Sequence, residues 1–394
     1  MNVPELRFRQ FMPGGGYDSS RQDLNNWNKY KLEQISTIFD GTHSTPNYKK
    51  SGVPFYSVEN IKDLKTNKYI SIDEFHKNFK NNKPKYNDIF MTRIGDIGST
   101  NIIETDDDIA YYVSLALIRS NENIIDPFYL MYQITDPVIQ DELWKRTLHV
   151  AFPKKINKDE IGKIPVSVTS ITEQKRIGIF FQKLDHLIQL QQQKVERLNQ
   201  LKRGYLQKIF PVNKDLVPRI RFGGFNKAWI GVSLFELIEY ENSHHTYSEI
   251  KRYKHGNYPV FDAIGEISRI SQFDQNKKYI SIIKDGSGVG KTTLRQSKSS
   301  IIGTMGYLKP KNLYIYFMNY LIETIDFKKY IVGSSIPHIY FKDYSKMVVH
   351  IPEMDEQKKI GLFFKNLDDD LDKNNNKLIV LNLLKKGYLQ KLFC

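Results

Sequence analysis

The stretch Asp285-Gly286-Ser287-Gly288-Val289-Gly290-Lys291-Thr292-Thr293 comes nearest to a recognisable chemistry, the cradling of a phosphate by backbone amides and a lysine. The pattern needs glycine five positions before Gly290, and Asp285 stands there. A carboxylate at that point opposes a phosphate, and no acidic strand end suited to holding magnesium accompanies it. Arg93-Ile94-Gly95-Asp96-Ile97-Gly98 repeats the glycine spacing without a lysine. The expectation is a turn that presents amides and basic groups to DNA. A nucleotide-binding enzyme using residues 286–293 is the alternative, and a paired protein-binding adaptor is a third reading.

Other arrangements fall short sooner. Asp126-Pro127-Phe128-Tyr129 has Phe128 where the tetrapeptide of amino-methyltransferase sites carries a second proline, and Phe222-Gly223-Gly224-Phe225 lacks the spacing of a cofactor loop. Asp126-Pro127 reads instead as a helix start, with an N-cap followed by proline at the first helical position. The histidines, His244, His245 and His255 among them, form no HExxH arrangement, and the single cysteine is Cys394. No catalytic, cofactor-binding or metal-binding residue is therefore assigned.

The chain has 394 residues, a formal net charge of +14 and a pI near 9.3. A soluble chain this basic faces a polyanion, with nucleic acid the first choice. The longest apolar-rich run, Tyr314 to Ile322, is broken by Asn319 and is too short to cross a bilayer. The opening MNVPELRFRQFMPGGG lacks a signal-type apolar run, and Pro13–Gly16 reads as a flexible loop. A cytoplasmic protein without a membrane partner is expected. Asn, Gln and Arg read base edges, whereas Lys, Ser and Thr more often hold phosphates. On that basis the DNA-contacting residues expected in the first half are Thr42, His43, Thr45, Arg93, Thr100 and Asn101. In the second half they are His244, His245, Arg269, Lys284, Lys291, Thr292 and Arg295.

The elements that must position these loops emerge from an internal repeat. Glu173–Phe210 aligns without gaps on Glu356–Phe393, with 20 identities in 38 positions where about two would arise by chance. Weaker landmarks precede each copy: Val3–Phe8 resembles Val217–Phe222, and Trp27 recurs as Trp229. The chain thus reads as a variable block and a helical block, twice. The boundaries are 1–165 and 213–350 for the variable blocks, 166–212 and 351–394 for the helical ones. Thr172 is expected to cap the first helix, and Pro211 to stop it. Leu184, Ile188, Leu198, Leu201 and Tyr205 follow at three-, four- and seven-residue spacings, matched by Leu367, Leu371, Leu381, Leu384 and Tyr388. This is a coiled-coil stripe. A helix from Asp185 to Lys208 would be about 36 Å long, close to one turn of B-DNA. Two such helices packed antiparallel would hold two domains about a DNA turn apart. Gly204 and Gly387, each a helix-weakening residue, suggest close backbone approach there. The variable blocks mix strand-like runs (Val53–Val58, Tyr69–Ile72, Tyr111–Ile118, Tyr279–Ile283, Met347–Ile351) with one apolar helix each, near Pro127–Ile134 and Leu313–Ile322. Each is read as an α+β domain.

With these residues in view, the chain resembles the specificity subunit of type I restriction-modification enzymes. The resemblance rests on Glu-Gln-Lys…Ile-Gly…Phe-Phe…Leu-Asp at 173–185 and 356–368, and on Lys-Arg-Gly-Tyr-Leu-Gln-Lys at 202–208 and Lys-Lys-Gly-Tyr-Leu-Gln-Lys at 385–391. Trp27, Trp229, Gly41-Thr42-His43 with Pro46, and Asp285-Gly286 with Gly290 add to it. It covers nearly the whole chain. It implies two target-recognition domains, each reading half of a split double-stranded DNA site. It also implies an antiparallel, pseudo-twofold coiled coil that sets the spacer and docks two modification subunits, with two motor-nuclease subunits completing the complex. By the same resemblance S-adenosylmethionine, ATP and Mg2+ belong to the partner subunits and none to this chain.

Overall fold

A computed structural model describes residues 4–9, 27–211, 217–252 and 256–393. The expectations at Pro13–Gly16, His255 and Cys394 lie outside the described residues. The chain divides into two compact units, residues 1–191 with 377–394 and residues 192–376. Each joins one α+β domain to the first part of one long helix and the last part of the other.

In the first unit Ser36–Asp40, Leu115–Ser120, Ile89–Thr92 and Thr100–Ile102 form an antiparallel four-stranded sheet in that order. Of the two central strands, Ile89–Thr92 is buried throughout and Leu115–Ser120 over Leu115–Ile118, its near-continuous apolar run, with Arg119 and Ser120 half-buried at its end. A three-stranded sheet sets Val53–Tyr56 between Tyr69–Ile70 and, in parallel, Ala110–Tyr111. A ribbon pairs Asn28–Lys31 with Pro165–Val168, so this domain runs to Val168 and past 165. The helix Pro127–Ile134 is capped by Asp126, whose carboxylate accepts from Tyr129 N. The helix Pro137–Lys145 follows, capped by Asp136. Ile72, expected to end a strand, begins a helix instead: Ser71 caps Ile72–Asn78 by accepting from Glu74 N.

The second unit repeats the plan. Its sheet runs Ile238–Asn242, Met305–Pro310, Tyr279–Ile283, Thr292–Arg295. The three-stranded sheet is Glu266–Ile270, Tyr258–Phe261 and, in parallel, Ser300–Ile301. The ribbon pairs Ile230–Ser233 with Val348–Ile351, and the apolar helix is Ile315–Glu323. Where the first unit has Pro137–Lys145, this one has the single 3-10 turn Phe327–Tyr330.

The long helices are Ile171–Ile209 and Met354–Leu392, 39 residues each. At 1.5 Å per residue each is about 58 Å long. The first starts at Ile171. Ser170 Oγ accepts from Glu173 N at 3.4 Å, so Ser170 holds the cap position and Thr172 lies inside the first turn. Within each unit the helices pack antiparallel. In the first, Phe180 meets Tyr388 (5.0 Å between centroids) and Asp185 meets Lys385 (2.6 Å), so moving up one helix moves down the other. In the second, Tyr205 meets Phe363 (5.1 Å) and Lys202 meets Asp368 (3.0 Å). The fold is thus α+β twice over, on helices packed antiparallel.

The repeated motif is the set of contacts that seats each domain on its helices. Glu173 and Glu356, both fully buried, accept from Arg7 at 2.6 Å and Arg221 at 2.7 Å. Gln174 accepts from Asp126 N (2.8 Å) and Gln357 from Tyr314 N (3.0 Å), each holding the start of the apolar helix. Gly178 and Gly361 give that helix room. A Cβ on Gly361 would stand 2.7 Å from Phe317 N, and one on Gly178 3.3 Å from Tyr129 N. Phe181 and Phe364 stack on Phe393 and Phe210. Asp185 and Asp368 accept from the hydroxyls of Tyr132 and Tyr320. Burial, followed by the neighbouring carboxylate, raises both phenols well above the usual tyrosine value. Burial opposes the charge of Lys202, but Asp368 and Glu323 more than offset it and leave its pKa raised.

Two expectations about the helices need correction. Leu184, Leu367 and Leu371 are buried, and Ile188, Leu198, Tyr205, Leu381 and Tyr388 are half-buried. Leu201 and Leu384, however, are 46% and 44% exposed. The seam turns away from them and uses Leu206 and Leu389, both buried. A Cβ on Gly204 or Gly387 would meet nothing within 4 Å, so no close backbone approach explains either glycine.

Candidate nucleic-acid interface

In the first unit two loops leave one end of the four-stranded sheet, and a third, which follows the helix Pro137–Lys145, is tied to them. Gly41 follows Ser36–Asp40 and is pressed against Tyr111 and Tyr112, where a Cβ would stand 2.5 Å from Tyr111 O. Backbone bonds from Thr42 N to Tyr111 O (3.1 Å) and from Val113 N to Thr42 O (3.0 Å) fix the loop's start. His43, Ser44 and Thr45 then project into solvent. The second loop is the turn at 93–99, closed by Gly98 N to Thr92 O at 2.9 Å. The third, residues 148–155, is joined to it by Gly95 N to Lys154 O (2.8 Å) and Ile156 N to Arg93 O (3.0 Å). Arg93 clamps all three: its guanidinium is paired with Asp40, and its Nε donates to Ile156 O at 3.2 Å.

The second unit builds the same cluster from other residues. Ser243 is buried and its hydroxyl donates to Ile301 O. His245 accepts at its backbone oxygen from Gly303 N (2.8 Å) and pairs through Nε2 with Asp274 (3.0 Å), leaving His244 exposed. The glycine-rich turn lies between Tyr279–Ile283 and Thr292–Arg295. Gly290 N donates to Ile283 O (2.8 Å), Val289 N to Gly286 O (3.2 Å) and Lys291 N to Gly288 O (3.0 Å). Gly286, Gly288 and Gly290 have φ of 87°, 81° and 85°, which only glycine adopts without strain. The turn enters a strand, and these amides are spent inside it. A phosphate cradle needs free amides ahead of a helix, so the nucleotide-binding alternative has no support. The third loop, 332–338, is joined to the turn by Gly286 N to Pro337 O (2.9 Å) and Ile339 N to Lys284 O (3.0 Å). Lys284 pairs with Asp285 at 2.6 Å, and Lys291 is exposed.

The structure thus gathers Thr42, His43, Thr45 and Arg93 in one cluster, and His244, His245, Lys284 and Lys291 in the other, with Thr292 opening the strand beyond the turn. Arg93 and Arg295 are not outward-reaching groups. Arg295 is buried, donates to Ser281 Oγ and Asp262 O (both 3.0 Å), and lies over the Phe261 ring at 4.4 Å. Asn101 spends its amide on Ile61 O (2.9 Å), and Thr100 donates to Met131 O (3.3 Å). Arg269 lies on Glu266–Ile270, held by Glu266 at 2.7 Å. Sequence reasoning missed the loops at 148–155 and 332–338. Their one shared mark is an apolar residue before proline, Phe152-Pro153 and Ile336-Pro337. Among the described residues there is no group of metal-ligating side chains and no helix long and apolar enough to cross a membrane.

The family model for the type I restriction modification DNA specificity domain matches this chain twice, over residues 25–200 and 226–382. The type I restriction enzyme MjaVIII specificity subunit of Methanocaldococcus jannaschii is 32% identical over 123 residues, 30% of this chain and 28% of that protein. A putative type I restriction enzyme MjaX specificity subunit from the same organism is 23% identical over 385 residues, 87% of each chain. The crystal structure of a type I restriction-modification S subunit from M. genitalium superposes with a TM-score of 0.68 at 16% identity, covering 100% of this chain and 99% of that one. A chain from a structure of the type I R-M system, concerning complex assembly and conformational transition, gives a TM-score of 0.55 at 14% identity over 94% of this chain and 98% of that one. Both likenesses concern the fold.

Proposed function

The chain belongs to the type I restriction-modification DNA specificity family, and from that premise we propose that it is a non-catalytic subunit in which each domain reads one half of a bipartite double-stranded DNA target. The observation that carries this reading is the loop cluster built twice, from different residues, in a chain of net charge +14. Two scaffolds of one design with different exposed side chains suit two different half-sites, and base edges are read by such side chains. The long helices set the spacer between the half-sites.

The same helices dock two modification subunits, and two motor-nuclease subunits join the complex. Support comes from residues that are identical in the two copies yet exposed or in open space: Leu201 and Leu384, Gly204 and Gly387, Gln207 and Gln390. A residue kept twice, at a helix-weakening cost for glycine, suits a partner that meets both copies in the same way. S-adenosylmethionine, ATP and Mg2+ are bound by those partners and the chemistry is theirs. The protein works in the cytoplasm.

The test is exchange of residues 27–168 for the matching block of another specificity subunit, followed by mapping of methylated sites in cells that carry the modification subunit. One half of the methylated motif should change while the other half and the spacer stay. A change in both halves would refute the division of labour.

A further inference from the structure

The third loop of the first unit leaves its apolar tip in water. Leu148 N donates to Lys155 O (2.8 Å) and Ala151 N to Leu148 O (3.4 Å), so the stem is closed, and Gly95 N to Lys154 O (2.8 Å) pins it to the neighbouring turn. Beyond that stem Val150 and Phe152 are fully exposed. Single exposed apolar residues are ordinary. Two at the tip of a loop anchored to the turn at 93–99 are not explained by packing.

The charge around the tip indicates what it meets. Arg146 at the loop's base is paired with Glu142 and Glu160 (3.4 Å each), but from Thr147 to Lys158 the chain carries Lys154, Lys155 and Lys158 and not one carboxylate. Lys154 sits over the half-exposed Trp144 ring at 4.3 Å, and the His149 ring meets the same indole at 4.4 Å. An apolar point flanked by Lys154 and Lys155 suits a surface that is anionic outside and apolar within, which is the description of stacked bases behind phosphates. The second unit repeats the arrangement in smaller form. Val332 and His338 exchange backbone bonds (2.9 and 2.8 Å), Gly286 N reaches Pro337 O (2.9 Å), and Ile336 is exposed at the tip.

We propose that the Val150–Phe152 tip is a wedge that enters the DNA duplex and unstacks a base step in the half-site of the first unit, with Ile336 making a weaker intrusion in the other. The inference rests on the DNA-reading function above and adds how the duplex is deformed. It selects for a deformable step, pyrimidine followed by purine, at a position no hydrogen bond reads.

The test uses the full chain assembled with its modification subunit and a duplex bearing its methylated motif, with 2-aminopurine placed at successive positions of each half-site. Wild-type protein should raise the fluorescence at one step of the first unit's half-site. Phe152→Ala should abolish that rise and weaken binding about tenfold, as expected for a lost base-stacking contact. Ile336→Ala should act only in the other half-site, and less. Because Phe152 makes no packing contact, the thermal midpoint should not move. Phe152→Ala binding and fluorescence equal to wild type would overturn the wedge, as would lost assembly with the modification subunit, which would place a protein at the tip. A wild-type complex indifferent to the duplex would instead bring down the DNA-reading function itself.

Discussion

Glu173 in the first unit is bound by Arg7 and also by the Thr169 hydroxyl at 2.6 Å; Glu356 in the second is bound by Arg221, and Pro352 stands where Thr169 would be. The two units therefore share one anchoring scheme and differ in how well it is buffered. The difference widens outward. Leu187, Leu190, Ile379, Val380 and Leu383 are exposed on the helices of the first unit. The matching positions in the second are Asp370, Lys373, Glu196, Arg197 and Gln200. The lesson is that seating a domain on its helices allows few solutions, since buried charges and close backbones tolerate little change, whereas outward positions are free to follow different contacts.

Removing the arginine of either buried pair leaves an uncompensated buried carboxylate, which costs about 3–5 kcal/mol. Arg221→Ala should cost more than Arg7→Ala, because Glu173 keeps its Thr169 bond. Hydrogen exchange of the two helix starts would report this locally, and a larger loss in the first unit would break the comparison.

The glycines sharpen it next. Gly361→Ala should destabilise the second unit by about 2 kcal/mol, because the new Cβ meets the Phe317 backbone. Gly178→Ala should cost less, its closest contact being the Phe128 Cβ at 3.1 Å. Gly204→Ala and Gly387→Ala should stabilise the isolated chain by up to about 1 kcal/mol while weakening assembly with the modification subunit. Thermal unfolding and a pull-down read the two arms, and tighter assembly of either variant would show that no partner comes close there.

The smallest expected effect concerns Asp136. It is buried at the start of Pro137–Lys145, and burial lifts its carboxyl to about 6, against the pull of its bond from Val138 N. A folded value above the unfolded one means the group favours folding while protonated, and that contribution is lost as pH rises through about 6. Asp136→Asn keeps the cap without titrating. The variant should match wild type near pH 4 and exceed it by about 1 kcal/mol at pH 7, a figure reduced for solvent reaching the carboxylate. The second unit's Asp326 is exposed and heads only the turn Phe327–Tyr330. A pH-independent difference for Asp136→Asn would remove the contrast.

What the sequence determined by itself was whatever its own repetition and periodicity encode. The ungapped match of 173–210 to 356–393 exposed the duplication, and the three-four spacing located both long helices. Asp126-Pro127 marked a helix start that the structure keeps, and the glycine pair at 95 and 98 marked a turn matching 286–290. Tertiary structure alone decided which shared residue faces inward. Periodicity gives the angle around a helix but not the side another element will cover, so Leu201 and Gly204 read as seam while the seam lay elsewhere. It alone decided that Arg93 and Arg295 brace loops from within, because an arginine's partner stands far away in sequence: Asp40 is 53 residues from Arg93. And it alone joined residues 148–155 to the turn at 93–99, since a loop without regular pattern takes its place from the elements it is bonded to.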